Sequence, residues 1–145
     1  MNSYFCWLTQ PGCRHCQACA WKRAGAWYFL IFALSCVPNF DLSSADWESW
    51  AGIFQFATRK TAHVLEYFAL TILLWQALRY KKDRPLLWAF FAALILAALD
   101  EVHQQFVFGR VGQAMDVFID ATGIVAALVL YDRIESQARS AVSLK

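Results

Sequence analysis

The chain has 145 residues, of which 13 are Lys or Arg, 11 Asp or Glu and 3 His, for a formal charge of +2; 59% of it is hydrophobic and 17% aromatic. With a mean hydropathy of +0.38, it is too apolar for a water-soluble domain of this size. The weak charge, with no basic face interleaved with aromatics, excludes nucleic acid as a partner. What remains is one small membrane domain whose partner is the lipid bilayer.

Residues 1–20 read as a cytoplasmic, cysteine-rich tail. Cys13, Cys16 and Cys19 are spaced C-x-x-C-x-x-C with His15 among them. Cytoplasmic thiols stay reduced, so the spacing points to a metal site, with Cys6 or His15 as a fourth ligand, rather than to a disulfide. The alternative is a short tail without fixed structure. Lys22 and Arg23 open the first apolar run, Ala24 to Val37, which Pro38 stops; a helix is predicted over about 22–38. A basic pair before an apolar run also suggests a secretory signal, but no small-x-small site follows and Ala33 stands where a lipoprotein signal prefers Leu, so retention is expected. Cys36 reads as an ordinary small apolar residue inside that helix.

The loop from Pro38 to Ala57 carries Asp41, Asp46 and Glu48 and no Lys or Arg. Trp47, Trp50, Ala51 and Phe54 recur at helical spacing, which predicts a short amphipathic helix lying in the interface. It is either a Trp-rich anchor or a lid over the polar groups described below. Three more helices follow, over about 58–79, 85–104 and 114–132, the third opening on Pro85, a residue suited to a first helical turn. Residues 136–145 form a second cytoplasmic tail. The apolar runs fall somewhat short of the ~20 residues a spanning helix needs, so their polar flanks complete each crossing.

Orientation follows from the basic residues. Arg14, Lys22, Arg23, Arg79, Lys81, Lys82, Arg84, Arg133, Arg139 and Lys145 are ten of the thirteen, and all fall on one side if four helices cross. By the positive-inside rule that side is cytoplasmic, and both termini lie there. Arg59, Lys60 and Arg110 remain at the outer face. So do the ionisable residues of the apolar runs: His63 and Glu66 at the start of the second, Asp100, Glu101 and His103 at the end of the third, Asp116 and Asp120 at the start of the fourth. A charge at membrane depth costs about 2.5 kcal/mol or more without a partner or water, so such residues are read first as a functional site.

Helical geometry groups them further. At ~100° per residue, Arg59, His63, Glu66 and Tyr67 share a face that continues through Leu70 and Leu74. Asp100, His103 and Gln104 share another, with Glu101 at its margin. Asp116, Asp120, Gly123 and Ala127 form a third, and the small pair Gly123 and Ala127 admits another helix closely. Adhesion alone, at ~0.6 kcal/mol per interhelical hydrogen-bonded pair, is the bland explanation of such residues; seven ionisable groups exceed what four helices need for it. The fold expected is an all-α, integral membrane four-helix bundle with a short interfacial helix in its first outer loop.

The stretches RKTAHVLEYFAL, from Arg59 to Leu70, and DEVHQQFVFGRVGQAMDVFIDATG, from Asp100 to Gly123, resemble the VanZ-like family of small membrane proteins, over three of the four helices and within a domain spanning 21–135. The residues that carry the resemblance are Lys60, His63, Glu66, Tyr67, Asp100, Glu101, Gln104, Gly109, Arg110, Asp116, Asp120 and Gly123. The chain departs from the pattern at Phe108, where Pro is usual before Gly-Arg, and at Ala127, near where a second Gly is usual. The resemblance implies a multi-pass protein of a bacterial plasma membrane with a role in the cell envelope and in its encounter with teicoplanin-type glycopeptide antibiotics.

Three chemistries suit the polar residues. In the first, Arg59, Lys60 and Arg110 recognise an anionic outer-leaflet component, such as the phosphate of a lipid-linked envelope precursor, with Arg110 gripping it bidentately. His63 or His103 is then the proton carrier and Glu66 or Asp100 orients it, an acid/base set, while Tyr67, Glu101, Gln104, Asp116 and Asp120 complete the ligand-binding residues. In the second, a membrane-embedded enzyme uses a metal held by His63, Glu66, Asp100, His103 and Asp120 to act on the same precursor. A proton-coupled transporter ranks last, because its polar residues belong near mid-membrane.

Overall fold

The computed structural model describes residues 14–37, 50–79, 83–108 and 114–143. Four helices occupy them: α1 (Arg14–Ser35), α2 (Trp50–Leu78), α3 (Pro85–Gln104) and α4 (Ala114–Ser143), with no strand among the described residues. α2 is central and packs against each of the others, most extensively against α4.

Side-chain contacts fix the directions. The Gln17 amide of α1 donates to the Ala77 carbonyl near the end of α2 (3.4 Å), and the Trp27 indole N–H donates to the Glu66 carbonyl midway along it (3.0 Å), so α1 and α2 are antiparallel. Lys60 pairs with Asp116 near the start of α2 and α4, and Trp75 stacks on Tyr131 further along both, with ring centroids 3.6 Å apart, so these two helices run the same way. At that second end the Arg79 guanidinium lies 5.0 Å over the Trp75 ring, an attractive cation–π contact.

The packing is inside-out relative to a water-soluble bundle. Phe29, Leu65, Ile95 and Phe118 are each more than half exposed. The buried face of α3 is instead Ala89, Ala93 and Ala97 followed by Asp100, Glu101 and Gln104. Lipid tails are as apolar as a leucine side chain, so large residues gain nothing by turning inward, and small and polar ones make the helix contacts. Three helices are long and apolar enough to cross a membrane, over Ala57–Leu78, Pro85–Gln104 and Ala114–Ile134. α1 lies alongside them, with Lys22 and Arg23 exposed part-way along it.

Several boundaries differ from expectation. α1 begins at Arg14, so Cys16 and Cys19 belong to its first turns, while Cys13 lies outside the described residues. Trp50, Ala51 and Phe54, expected on a separate interfacial helix, belong to α2; Trp47 and the rest of that loop lie outside the described residues. No Pro interrupts the chain between Trp50 and Leu78, and nothing in the sequence stops the helix. α4 continues past residue 132 for the same reason, since the segment from Asp132 to Ser143 has neither Gly nor Pro.

Candidate functional site

The C-terminal ends of α1 and α3 and the N-terminal parts of α2 and α4 meet at one end of the bundle, and the polar residues gather there. Asp116 lies in the first turn of α4, where the helix dipole favours a carboxylate. The Lys60 ammonium of α2 donates to it across the helix interface, with both side chains partly exposed. This pair forms a rim.

One turn deeper, the same two helices bring His63 to Asp120, with Nδ1 to Oδ1 at 3.5 Å. Asp120 is fully buried. The helix backbones come close enough for this because of Gly123: a Cβ built there would overlap the Val64 carbonyl oxygen. The third helix adds Glu101, and one donor atom each from His63, Glu101 and Asp120 lie within 4.8 Å of one another. Tyr67 lies one turn further along α2, completely buried, its hydroxyl 3.5 Å from the Leu96 carbonyl.

A second group joins α1 to α3. The Ser35 hydroxyl and the Gln104 amide each donate to Oδ2 of Asp100 at 2.8 Å, and Gln104 also reaches the Ser35 hydroxyl oxygen at 3.4 Å. These three side chains are buried. Beside them the His103 ring packs on Phe32, with centroids 4.4 Å apart, and its Nε2 lies 3.3 Å from Cys36 Sγ.

Sequence geometry is corrected at three points. Glu101, expected at the margin of its helix face, is buried and faces His63 and Asp120. The donor group contains it in place of Glu66, Asp100 and His103, which the expected metal set included; Asp100 is engaged with Ser35 and Gln104, and His103 with Phe32 and Cys36. Cys36, expected inside the first helix as a plain apolar residue, lies just beyond α1, exposed and against an imidazole. Arg59, Lys60, His63 and Glu66 are all half-buried on α2. Arg110 falls in the link between α3 and α4, outside the described residues.

Two contributions were missed. Ser35 comes from α1, which the polar pattern did not include; its signal was a lone hydroxyl near the end of an apolar run. The signal for Glu101 was that it continues the every-fourth-residue line of Ala89, Ala93 and Ala97, the buried line of α3.

A family model described as VanZ/LLP1 matches residues 21–135, a span that contains every residue of this polar end. No curated protein and no solved structure matches the chain significantly.

Proposed function

Starting from the fact that the chain belongs to the VanZ/LLP1 family, and is therefore a membrane protein of the VanZ type with helices able to span a bilayer, we propose that its polar end binds an anionic component of the outer leaflet. The component is the phosphate of a lipid-linked envelope precursor, and its capture alters how the envelope of a bacterial cell meets glycopeptide antibiotics of the teicoplanin type. One observation carries this reading: polar side chains from all four helices gather at a single end of a bundle otherwise clad in large apolar residues.

That end faces away from the cytosol in this proposal, because the chain's basic residues concentrate in the segments leading to the other end. Arg59 and Lys60 sit near the rim on α2, and Arg110 occupies the connection between α3 and α4. Guanidinium groups match the planar, bidentate geometry of phosphate oxygens, and near an apolar phase such contacts are worth more than in water. Phe106 and Phe108, both highly exposed beyond α3, rest in this reading among lipid headgroups and acyl chains beside the site.

Binding of a polyprenyl phosphate to the purified protein in neutral detergent tests the reading. Arg110→Ala weakens it at least about tenfold, as loss of a charge-assisted bidentate contact implies, and raises teicoplanin susceptibility in cells where the wild-type protein lowers it. Wild-type affinity and susceptibility in Arg110→Ala refute it. The second reading, an enzyme acting on the same component, is favoured by the imidazole and carboxylates of His63, Glu101 and Asp120 lying beneath the rim; turnover of the bound phosphate ester by wild type but not by His63→Gln is its test.

A further inference from the structure

We propose that His63, Glu101 and Asp120 form a divalent-metal site of one nitrogen and two oxygen donors, suited to Zn²⁺ or Mn²⁺. The proposal goes beyond headgroup recognition at the rim and stands whether or not an anionic lipid binds there.

The geometry is that of a converging donor set. α2, α3 and α4 each supply one side chain, and the three donor atoms lie within 4.8 Å of one another. His63 Nδ1 and Asp120 Oδ1 are 3.5 Å apart, longer than an ordinary hydrogen bond between such groups. Two ligands on a tetrahedral zinc ion with bonds of about 2.0–2.1 Å are about 3.3–3.4 Å apart. The Glu101 donor lies within 4.8 Å of both, and so within about 1.5 Å of that spacing. The backbones do not have to move, because α2 and α4 are already held at contact distance by Gly123 against Val64.

Asp120 gives the independent reason to place a cation here. It is wholly buried, and neither of its carboxylate oxygens has a hydrogen-bond partner among the described residues. Oδ1 faces the His63 ring nitrogen, which also lacks one. Buried polar atoms of a helix bundle in lipid are normally satisfied, and an ionised carboxylate left without a donor is among the costliest groups to keep there. A divalent ion satisfies both oxygens and the imidazole at once. With His63 neutral, two carboxylates and one M²⁺ sum to zero charge, the balance a low-dielectric site needs. Lys60, three residues before His63 on α2, is paired with Asp116.

Ligand chemistry narrows the ion. One imidazole with two carboxylates suits borderline and hard first-row ions, zinc and manganese, rather than copper(I), which prefers sulfur. Three protein donors leave positions for water or an anionic oxygen, the arrangement of an open site rather than a closed structural one.

Metal analysis of the protein purified in detergent is the test, with all five cysteines, Cys6, Cys13, Cys16, Cys19 and Cys36, replaced by Ser so that thiols do not contribute. After treatment with chelator and dialysis against Zn²⁺ or Mn²⁺ alone, the protein retains about one equivalent per chain. His63→Gln and the near-isosteric Asp120→Asn, eluting as the wild type does on gel filtration, lose at least about a hundredfold in affinity, more than outer-shell partners typically contribute. A measurement without variants accompanies this: adding the same ion raises the unfolding temperature of the thiol-free protein. Stoichiometry below about a tenth of an equivalent with no thermal shift overturns the proposal. So does retention of wild-type affinity in both variants. Because the metal alone is the ligand, failure of polyprenyl phosphate to bind leaves this result unaffected, and failure of the metal leaves the rim reading unaffected.

Discussion

Gly123 offers the sharpest perturbation of the bundle. A methyl group at this position would occupy the space of the Val64 carbonyl oxygen, which belongs to helix backbone and has no rotamer to escape into. Restoring an ordinary contact requires α2 and α4 to separate by about 1 Å, and overpacking of this kind in a close-packed interior costs about 1–3 kcal/mol. The same movement reaches the site, since His63 precedes Val64 on α2 and Asp120 lies three residues before Gly123 on α4. The 3.5 Å separation of that pair lengthens with it. Gly25 supplies an internal control: on α1, a Cβ there meets nothing within 4 Å. Unfolding titrations in mixed micelles should therefore show Gly123→Ala destabilised by about 1–3 kcal/mol, and Gly25→Ala neutral or stabilised by up to about 1 kcal/mol through helix propensity. Equal stability of Gly123→Ala and wild type would refute the close approach of α2 and α4.

The Lys60–Asp116 pair is partly exposed, with side chains 20% and 17% accessible, so a double-mutant cycle with Lys60→Ala and Asp116→Ala should give a coupling of only about 0.2–1 kcal/mol; zero coupling contradicts the cross-helix bridge. Ser35→Ala removes one of two hydrogen bonds to the Asp100 Oδ2 oxygen and should cost about 0.6 kcal/mol, with ~1.7 as the ceiling for such bonds in a membrane bundle, read from the same titrations; a stabilised variant would show that α1 does not dock there. Tyr67→Phe deletes a hydroxyl whose contact with the Leu96 carbonyl is at the 3.5 Å limit, so a loss of at most about 0.6 kcal/mol is expected, and a much larger loss would mean that the hydroxyl has another partner.

How much of this was legible in the chain depends on which physical rule each residue obeys. The all-α class and the gathering of polar residues at one end follow from apolar run length and from alternation of direction, which need only the order of residues. His63 and Asp120 were placed correctly on their helix faces because a strict periodicity governs both. Glu101 was not: an angular sector around Asp100 and His103 put it at the edge, whereas the buried line of α3 is set by the alanines at positions 89, 93 and 97, and Glu101 extends that line. Trp50, Ala51 and Phe54 join α2 because spacing reveals a helix but not where it joins the next, and no Pro divides Trp50 from Leu78. The contributions of Ser35 and Cys36 were invisible because they depend on how α1 docks, and nothing local to α1 encodes its partner.

Labelling by a membrane-impermeant maleimide in intact cells tests the account most directly. In a protein whose Cys6, Cys13, Cys16 and Cys19 are changed to Ser, with Cys36 also changed to Ser in each variant that introduces a new cysteine, native Cys36 beyond α1, Phe106→Cys beyond α3 and Met115→Cys at the start of α4 are all exposed positions at the polar end. All three should react from outside the cell, whereas Arg84→Cys, at the opposite end, should react only after the membrane is opened. Reaction of any of the three solely after permeabilisation, with the others labelled from outside, would contradict the gathering of these helix ends into a single outward-facing site.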